Sequence, residues 1–509
     1  MSMASRLLPL VVALTLGLSG SVVAADAGDP TDPTVSPSVH DVADQCRQDG
    51  RDERECRSWS ALATGAGHVC RYITPDAAGD EVCAYLNGEL ITDDLVAEYE
   101  ASATAEAHRL QRQLMLAVPL ADSLVLSTHN SFNNASRRPS LSGLDANHQW
   151  SMVDQLRMDI RGLELDVHTF PSLEGGGVAP IMCHGGLGIV GHEGCTIEEP
   201  FATALADLRV WLDANPGDVI ILEIEDHMDG DDGHAAGVAA LESTMGSAGG
   251  AGRDLLWRPG DAFGAVAGGT CVGLPLDHSL DEVREAGRQV VVFSSCAGGG
   301  WNDIAFSNGG PGGPSPGGRR TVNGQVGDGY SYPGCNGGYD ADRPGWVRHH
   351  EDSTWLSRMA GAAGPPVTPA VASAMVQCGV NMPSFDQWSP SDGRLTTTLW
   401  SWTAESAVPA EGDCGAHDGS DRFAAQPCGT PLGGAACWTG MSWTVVTGSF
   451  THLGADAACA EDGGSLGMPR TPLENQALGE AKAAAEVSDV WLDLTAVVGA
   501  AGPAWVLPS

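Results

Sequence analysis

The chain has 509 residues, with 26 Lys and Arg against 65 Asp and Glu, for a net charge of -39. Nucleic-acid binders need basic surface to displace counterions, so this balance excludes DNA and RNA as partners. It also repels an anionic membrane unless cations screen it, and the length calls for a large domain with appendages.

The first 25 residues read as a secretory signal. Arg6 gives a positive start, Leu7 to Val23 is apolar and small, and Val22-Val23-Ala24-Ala25 offers a small-residue cleavage site. The run is short for a bilayer span, and no Cys follows the cleavage point to carry a lipid. The expectation is a secreted, extracellular protein. In that setting the 14 Cys read as disulfides rather than as a metal cluster. Cys183 with Cys195, and Cys437 with Cys459, are candidate local pairs. Residues 26–118 open with a linker of Pro, Thr, Asp and Ser, then hold Cys46, Cys56, Cys70 and Cys83 in a small stapled region. Within it Leu90 to Leu116 is rich in Ala, Glu, Leu and Gln and is expected to be helical.

Residues 119–409 alternate strand-like and helix-like segments. Leu124 to Leu126, Ile160 to His168, Ala179 to His184, Val219 to Glu225 and Gln289 to Ser295 read as strands, with Leu399 to Trp402 a candidate last strand. Phe201, Leu205, Leu208 and Leu212 mark one face of a helix that Asn215-Pro216-Gly217 stops. This alternation predicts an α/β fold, a parallel sheet covered by helices; the pattern alone does not separate a closed barrel from an open sheet. Ala297 to Arg320 is dense in Gly and Pro and is expected to be a long loop. Residues 410–509 form a separate module with Cys and Trp.

The chemistry lies in the polar residues on those strands. In Leu163-Glu164-Leu165-Asp166-Val167-His168, alternation puts Leu163, Leu165 and Val167 on one face and Glu164, Asp166 and His168 on the other. Glu223 and Glu225 likewise share a face. Carboxylates on a buried strand face need cations, because burying each charge unpaired costs several kcal/mol. His129 follows one strand and His184 ends another. In parallel α/β folds the carboxyl ends of strands are where ligands bind. Hard oxygen donors there suit Ca2+ or Mg2+. Two histidines can act as acid and base near neutral pH.

Thr128-His129-Asn130-Ser131, Gly162-Leu163-Glu164-Leu165-Asp166-Val167, Cys183-His184-Gly185 and Leu222-Glu223-Ile224-Glu225-Asp226-His227 stand in an order and spacing that resemble the catalytic X region of phosphatidylinositol-specific phospholipase C. The connecting Trp211 to Val219 stretch is similar to that of bacterial members. The clear match runs from Leu124 to His227, and more loosely to Trp402. The resemblance implies a distorted TIM-like (β/α) barrel over residues 119–409. It implies His129 and His184 as catalytic residues and Asn130, Glu164, Asp166 and Glu225 as Ca2+ ligands. It also implies a phospholipid head group at a membrane surface as substrate, cleaved to diacylglycerol and a cyclic inositol phosphate. Arg137, Arg138, Arg161 and Arg394 are candidates for gripping the head-group phosphate, and Glu223 matches no transferred ligand.

In the tail, Ala457-Ala458-Cys459, Met468-Pro469, Glu474-Asn475, Val490-Trp491-Leu492 and Trp505 resemble part of a C-type lectin-like domain, which implies a β-rich module able to take carbohydrate. Two other readings compete. One is a glycerophosphodiester phosphodiesterase or sphingomyelinase D-like barrel, although those open with His-Arg-Gly where this chain has His129-Asn130-Ser131. The other is a non-catalytic adhesion protein that keeps the barrel as scaffold.

Overall fold

The computed structural model describes residues 83–84, 90–91, 93–134, 147–148, 150–171, 178–183, 200–247, 252–309, 318–321, 346–352, 367–390, 392–500 and 502–507. The signal segment, Cys46, Cys56, Cys70, Arg137, Arg138, His184 and Cys195 lie outside these residues.

Two short strands, β1 (Cys83–Ala84) and β2 (Leu90–Ile91), pair antiparallel ahead of helices α1 (Asp93–Glu100) and α2 (Ala103–Met115). The stretch from Leu90 to Leu116, expected to be helical, opens with the two residues of β2 and continues as two helices. The break falls at Ser102, which has extended backbone and accepts a hydrogen bond from Ala105 N at 3.2 Å as the N-cap of α2.

Ten strands form the main sheet among the described residues: β3 (Ser127–Thr128), β4 (Gly162–Pro171), β5 (Val178–Met182), β6 (Ile220–His227), β7 (Leu256–Trp257), β8 (Val290–Ser294), β9 (Phe306–Ser307), β10 (Gly318–Thr321), β11 (Trp346–Glu351) and β12 (Met382–Ser384). Their order is β10-β11-β12-β3-β4-β6-β8-β7, with β9 also on β8. All these pairings are parallel; β5 alone joins antiparallel, on β4. The last strand in sequence lies beside the first. That neighbourhood distinguishes a curled barrel sheet from an open doubly wound one, and the domain is a distorted TIM-like barrel.

Period-two alternation gives the barrel two apolar layers. Leu163, Leu165 and Val167 of β4 and Leu222 and Ile224 of β6 pack outward against helix α4 (Phe201–Ala214), through Leu205, Leu208 and Leu212. Helix α4 ends where the side chain of Asn215 donates to Trp211 O at 2.8 Å, just before Pro216-Gly217. Val125, Ile221, Val291, Phe293, Val347 and Met382 fill the interior instead. Most of these residues sit toward the amino ends of their strands, so polar residues further along the same face gather at the carboxyl ends.

Two expectations are corrected here. Leu399 to Trp402 is no barrel strand. It follows helix α9 (Gly393–Thr398), Gln111 Oε1 accepts from Trp400 N at 2.8 Å, and Trp402 bridges to Phe423 of the C-terminal module. The apolar signal there marks a seal between α2 and that module. Ala179 to Met182 falls in β5, an antiparallel flap on β4 rather than a member of the parallel run. Part of the long Gly-rich loop is ordered by Trp301, whose fully buried ring follows Gly300.

The C-terminal residues build a mixed sheet of β13 (Asp413–His417), β14 (Phe423–Pro427), β15 (Leu432–Trp438), β16 (Trp443–Phe450), β17 (Ser465–Leu466), β18 (Val490–Gly499) and β19 (Gly502–Val506). Disulfides Cys414–Cys428 and Cys437–Cys459 staple it, the second being one of the two candidate local pairs. A third, Cys271–Cys296, joins barrel loops. Cys183 is also disulfide-bonded.

Gly162 opens β4 where a side chain has no room: a Cβ there would meet Ser127 Oγ at 2.0 Å and Ser127 Cβ at 2.9 Å. Gly162→Val should therefore force β3 and β4 apart. We expect a loss of about 1–3 kcal/mol, the usual cost of overpacking, read as a lowered urea midpoint with unchanged slope.

Candidate active site

The parallel register sets Glu164 beside Glu223, Asp166 beside Glu225 and His168 beside His227 on the interior face of β4 and β6. Glu164 and Asp166 are only 1% and 2% exposed, deep enough for their charges to need compensation. Burial first, and then the Glu225 and Glu164 carboxylates, hold Asp166 well above the usual carboxylate range. Among the described residues, the positive charge near these acids comes from histidines, with His129 Nε2 3.8 Å from Glu164 Oε2.

His129 and Asn130 enter this region on the turn after β3. Asn130 adopts φ of 49°, left-handed backbone that Asn tolerates better than most residues. The turn is pinned to β4 at three points. Asn130 N donates to Glu164 Oε2 at 3.2 Å, Ser131 N donates to Glu164 O at 2.9 Å, and Glu164 N donates to Ser131 Oγ at 2.9 Å. The reason Asn and Ser follow His129 is thus partly mechanical: they lock the histidine turn onto the acidic strand.

The His129 ring is buried and held from both sides. Nδ1 lies 3.1 Å from Asp386 Oδ1, and Asn147 Nδ2 bridges to both oxygens of Asp386 at 3.0 and 3.1 Å. Nε2 lies 2.9 Å from Asn130 Nδ2, 3.4 Å from Glu351 Oε1 and 3.8 Å from Glu164 Oε2. Burial pushes the ring pKa down, but Asp386, Glu164 and Glu351 overcome it and hold the pKa well above the ordinary 6.5. Asp386, Asn147 and Glu351 were not foreseen from the sequence. Asp386 and Glu351 stand at the carboxyl ends of β12 and β11, so recognising those strands would have exposed them.

The structure thus brings together His129, Asn130, Glu164, Asp166 and Glu225. His184 lies outside the described residues; its neighbour Cys183 donates its N–H to Asp166 O at 3.0 Å. Glu223 sits deeper, 3.3 Å from His349 Nε2, which also meets Ser384 Oγ at 2.9 Å. Arg161 and Arg394 do not reach the mouth. Arg161 lies at the amino end of β4, bound to Asp218 at 3.1 Å and to the carbonyls of Leu156 and Ile160. Arg394 is committed to Asp392 and to the carbonyls of Asp386 and Gln387, so it braces the Asp386 loop from behind.

Two acceptors in the cluster, Asn130 Oδ1 and Asp166 Oδ1, are buried without a hydrogen-bond partner among the described residues. Orphaned acceptors beside repelling carboxylates are the donor set of a hard divalent cation. Asn130, Glu164, Asp166 and Glu225 are the residues that can hold one.

With this geometry in view, the comparisons with known proteins are specific. The family model described as the Rv2075c PI-PLC-like domain matches residues 89–392. The chain belongs to this family. Two Mycobacterium tuberculosis proteins described as uncharacterized, MT2135 of strain CDC 1551 / Oshkosh and Rv2075c of strain H37Rv, are each 33% identical over 469 residues, covering 89% of this chain and 88% of theirs. Among solved structures, a phosphatidylinositol-specific phospholipase C from Staphylococcus aureus aligns over 58% of this chain and 98% of its own, at 12% identity and TM-score 0.39. The enzyme of that description from Listeria monocytogenes covers 57% and 98%, at 14% identity and TM-score 0.34.

The raised His129 pKa has a stability consequence. The folded value lies above the unfolded value of about 6.5, so the charged ring stabilises the fold fully below that pH and the contribution is lost as pH rises through the folded value. Asp386→Asn removes the strongest of the three carboxylates acting on the ring. We expect the His129 pKa to fall, measured by ring 15N chemical shifts against pH; an unchanged titration would contradict the pairing.

Proposed function

We propose that this protein is an exported, Ca2+-dependent phosphodiesterase that cleaves phosphatidylinositol-type lipids at a membrane surface. The observation that carries the reading is the convergence of His129, fixed by Asp386, with Asn130, Glu164, Asp166 and Glu225 at one barrel mouth. Membership of a PI-PLC-like family supports it.

In this reading Asn130, Glu164, Asp166 and Glu225 hold the cation. When bound, Ca2+ lowers the pKa of the attacking hydroxyl and offsets charge on the phosphate oxygens. Asp386, itself held by Asn147, accepts from His129 Nδ1 and so directs Nε2 toward the mouth. A hydroxyl of the head group attacks phosphorus and the bond to the diacylglycerol oxygen breaks. The hydroxyl gives up its proton and the leaving oxygen gains one, and His129 and His184 share these two transfers. The products are diacylglycerol and a cyclic phosphodiester. Carbohydrate binding by the C-terminal module is no part of this reading.

Purified protein on phosphatidylinositol vesicles should release diacylglycerol and a cyclic inositol phosphate, resolved by 31P NMR. A lipid product that keeps its phosphate would instead favour a sphingomyelinase D-like reaction. His129→Ala should lower the rate by about 10²–10⁴-fold, the usual contribution of a general acid or base. Excess chelator should abolish turnover and added Ca2+ restore it, with Mg2+ less effective because it demands a tighter octahedral cage.

A further inference from the structure

We infer that His227 is an additional donor to the cation site, and that its nitrogen raises the affinity for a transition-series divalent ion such as Mn2+ relative to Ca2+. The inference rests on the reading of Asn130, Glu164, Asp166 and Glu225 as a cation site, and extends it by a ligand of a different kind. The set implied by the phospholipase C resemblance is all oxygen.

The argument starts from register. β4 and β6 run parallel with Asp166 opposite Glu225 and His168 opposite His227, so all four side chains share the interior face at its outermost level. Donor atoms of Asp166, Glu225 and His227 all lie within 4.8 Å of one another. An acidic cluster with a histidine is common on surfaces, and the exposed contact of His227 Nε2 with Glu225 Oε1 at 3.5 Å would alone count for little. What separates this cluster from a surface pair is its inner member. Asp166 is 2% exposed, and its Oδ1 has no hydrogen-bond partner among the described residues. Asn130 Oδ1, equally buried, is in the same condition.

The His227 ring is also oriented. It stacks on buried His168 with centroids 4.4 Å apart and planes 23° from parallel. The stack restricts the ring plane while Nε2 stays on the Glu225 side. The outer donors, Glu225 and His227, keep side-chain exposures of 47% and 37%. The inner half of the site is therefore dry and fixed and the outer half is open to solvent, which leaves coordination positions for water or a phosphate oxygen. Imidazole is a good ligand for transition-series ions and a poor one for Ca2+, which takes oxygen.

The test uses the full chain loaded with Mn2+ alone. Electron spin-echo envelope modulation reports 14N bound to Mn2+, and calorimetry gives Mn2+ and Ca2+ affinities separately. In the wild type we expect 14N modulation. In His227→Gln it should vanish, Mn2+ affinity should fall about 10–100-fold, and Ca2+ affinity should change by less than about threefold. His227→Asn should behave alike, and unchanged circular dichroism melts in either variant establish that it folds. Bound Mn2+ without 14N modulation in the wild type, or modulation that persists in both variants, overturns the inference and leaves the oxygen site standing. Failure of both Mn2+ and Ca2+ to bind the wild type overturns the oxygen site and this inference together.

Discussion

Electrostatic repulsion inside the barrel mouth is the constraint on which the rest of the arrangement depends. Glu164, Asp166 and Glu225 are drawn together by the β4–β6 register, and burial with the neighbouring carboxylates holds Asp166 well above the usual carboxylate range. The strands do not choose this; the ladder that buries Leu163, Leu165 and Val167 outward must turn the intervening acids inward. The apolar packing that stabilises the barrel thus presses like charges into one place. A protonated His129 offsets part of that charge, and a cation can offset the remainder.

The same constraint explains the supporting residues. His129 is surrounded by Asp386, Glu351 and Glu164, an environment that favours its charged form. Asp386 is in turn met by Asn147, and its loop is gripped by Arg394, whose guanidinium lies 5.5 Å and 5.2 Å from the Phe385 and Trp388 ring centroids. One level down, the fully buried His349 faces Glu223. Basic and acidic groups alternate along the inner wall. Arg161 and Arg394 serve this scaffold, committed to neighbouring carboxylates and carbonyls.

Much of this was legible in the sequence wherever local pattern and function coincide. The alternation of Leu and acid in β4 and β6 fixes both the buried face and the donor face, and the helix of Phe201 to Ala214 announces itself by period and by Asn215-Pro216-Gly217. Asp386 and Glu351 were hidden because their strands lack that pattern. β12 is three residues long and contains Pro383, and β11 carries Arg348, His349 and His350 where an apolar run would be expected. Conversely, Leu399 to Trp402 looked like a strand because its tryptophans are apolar, yet their burial serves the contact with the C-terminal module. Local hydropathy reports that a residue is covered, not what covers it.

The contact between His129 and Asp386 spans 257 positions of chain, because β12 closes beside β3. The histidine is contributed near the start of the barrel and its partner near the end. A nascent or clipped chain that stops short of β12 can complete β4 and β6 and still lack the group that sets the His129 ring. The His129 ring is thus set only once the sheet has curled round on itself, and a contact of such long range is among the slower ones to form. A molecule whose ends have not met holds the acids but not the oriented imidazole.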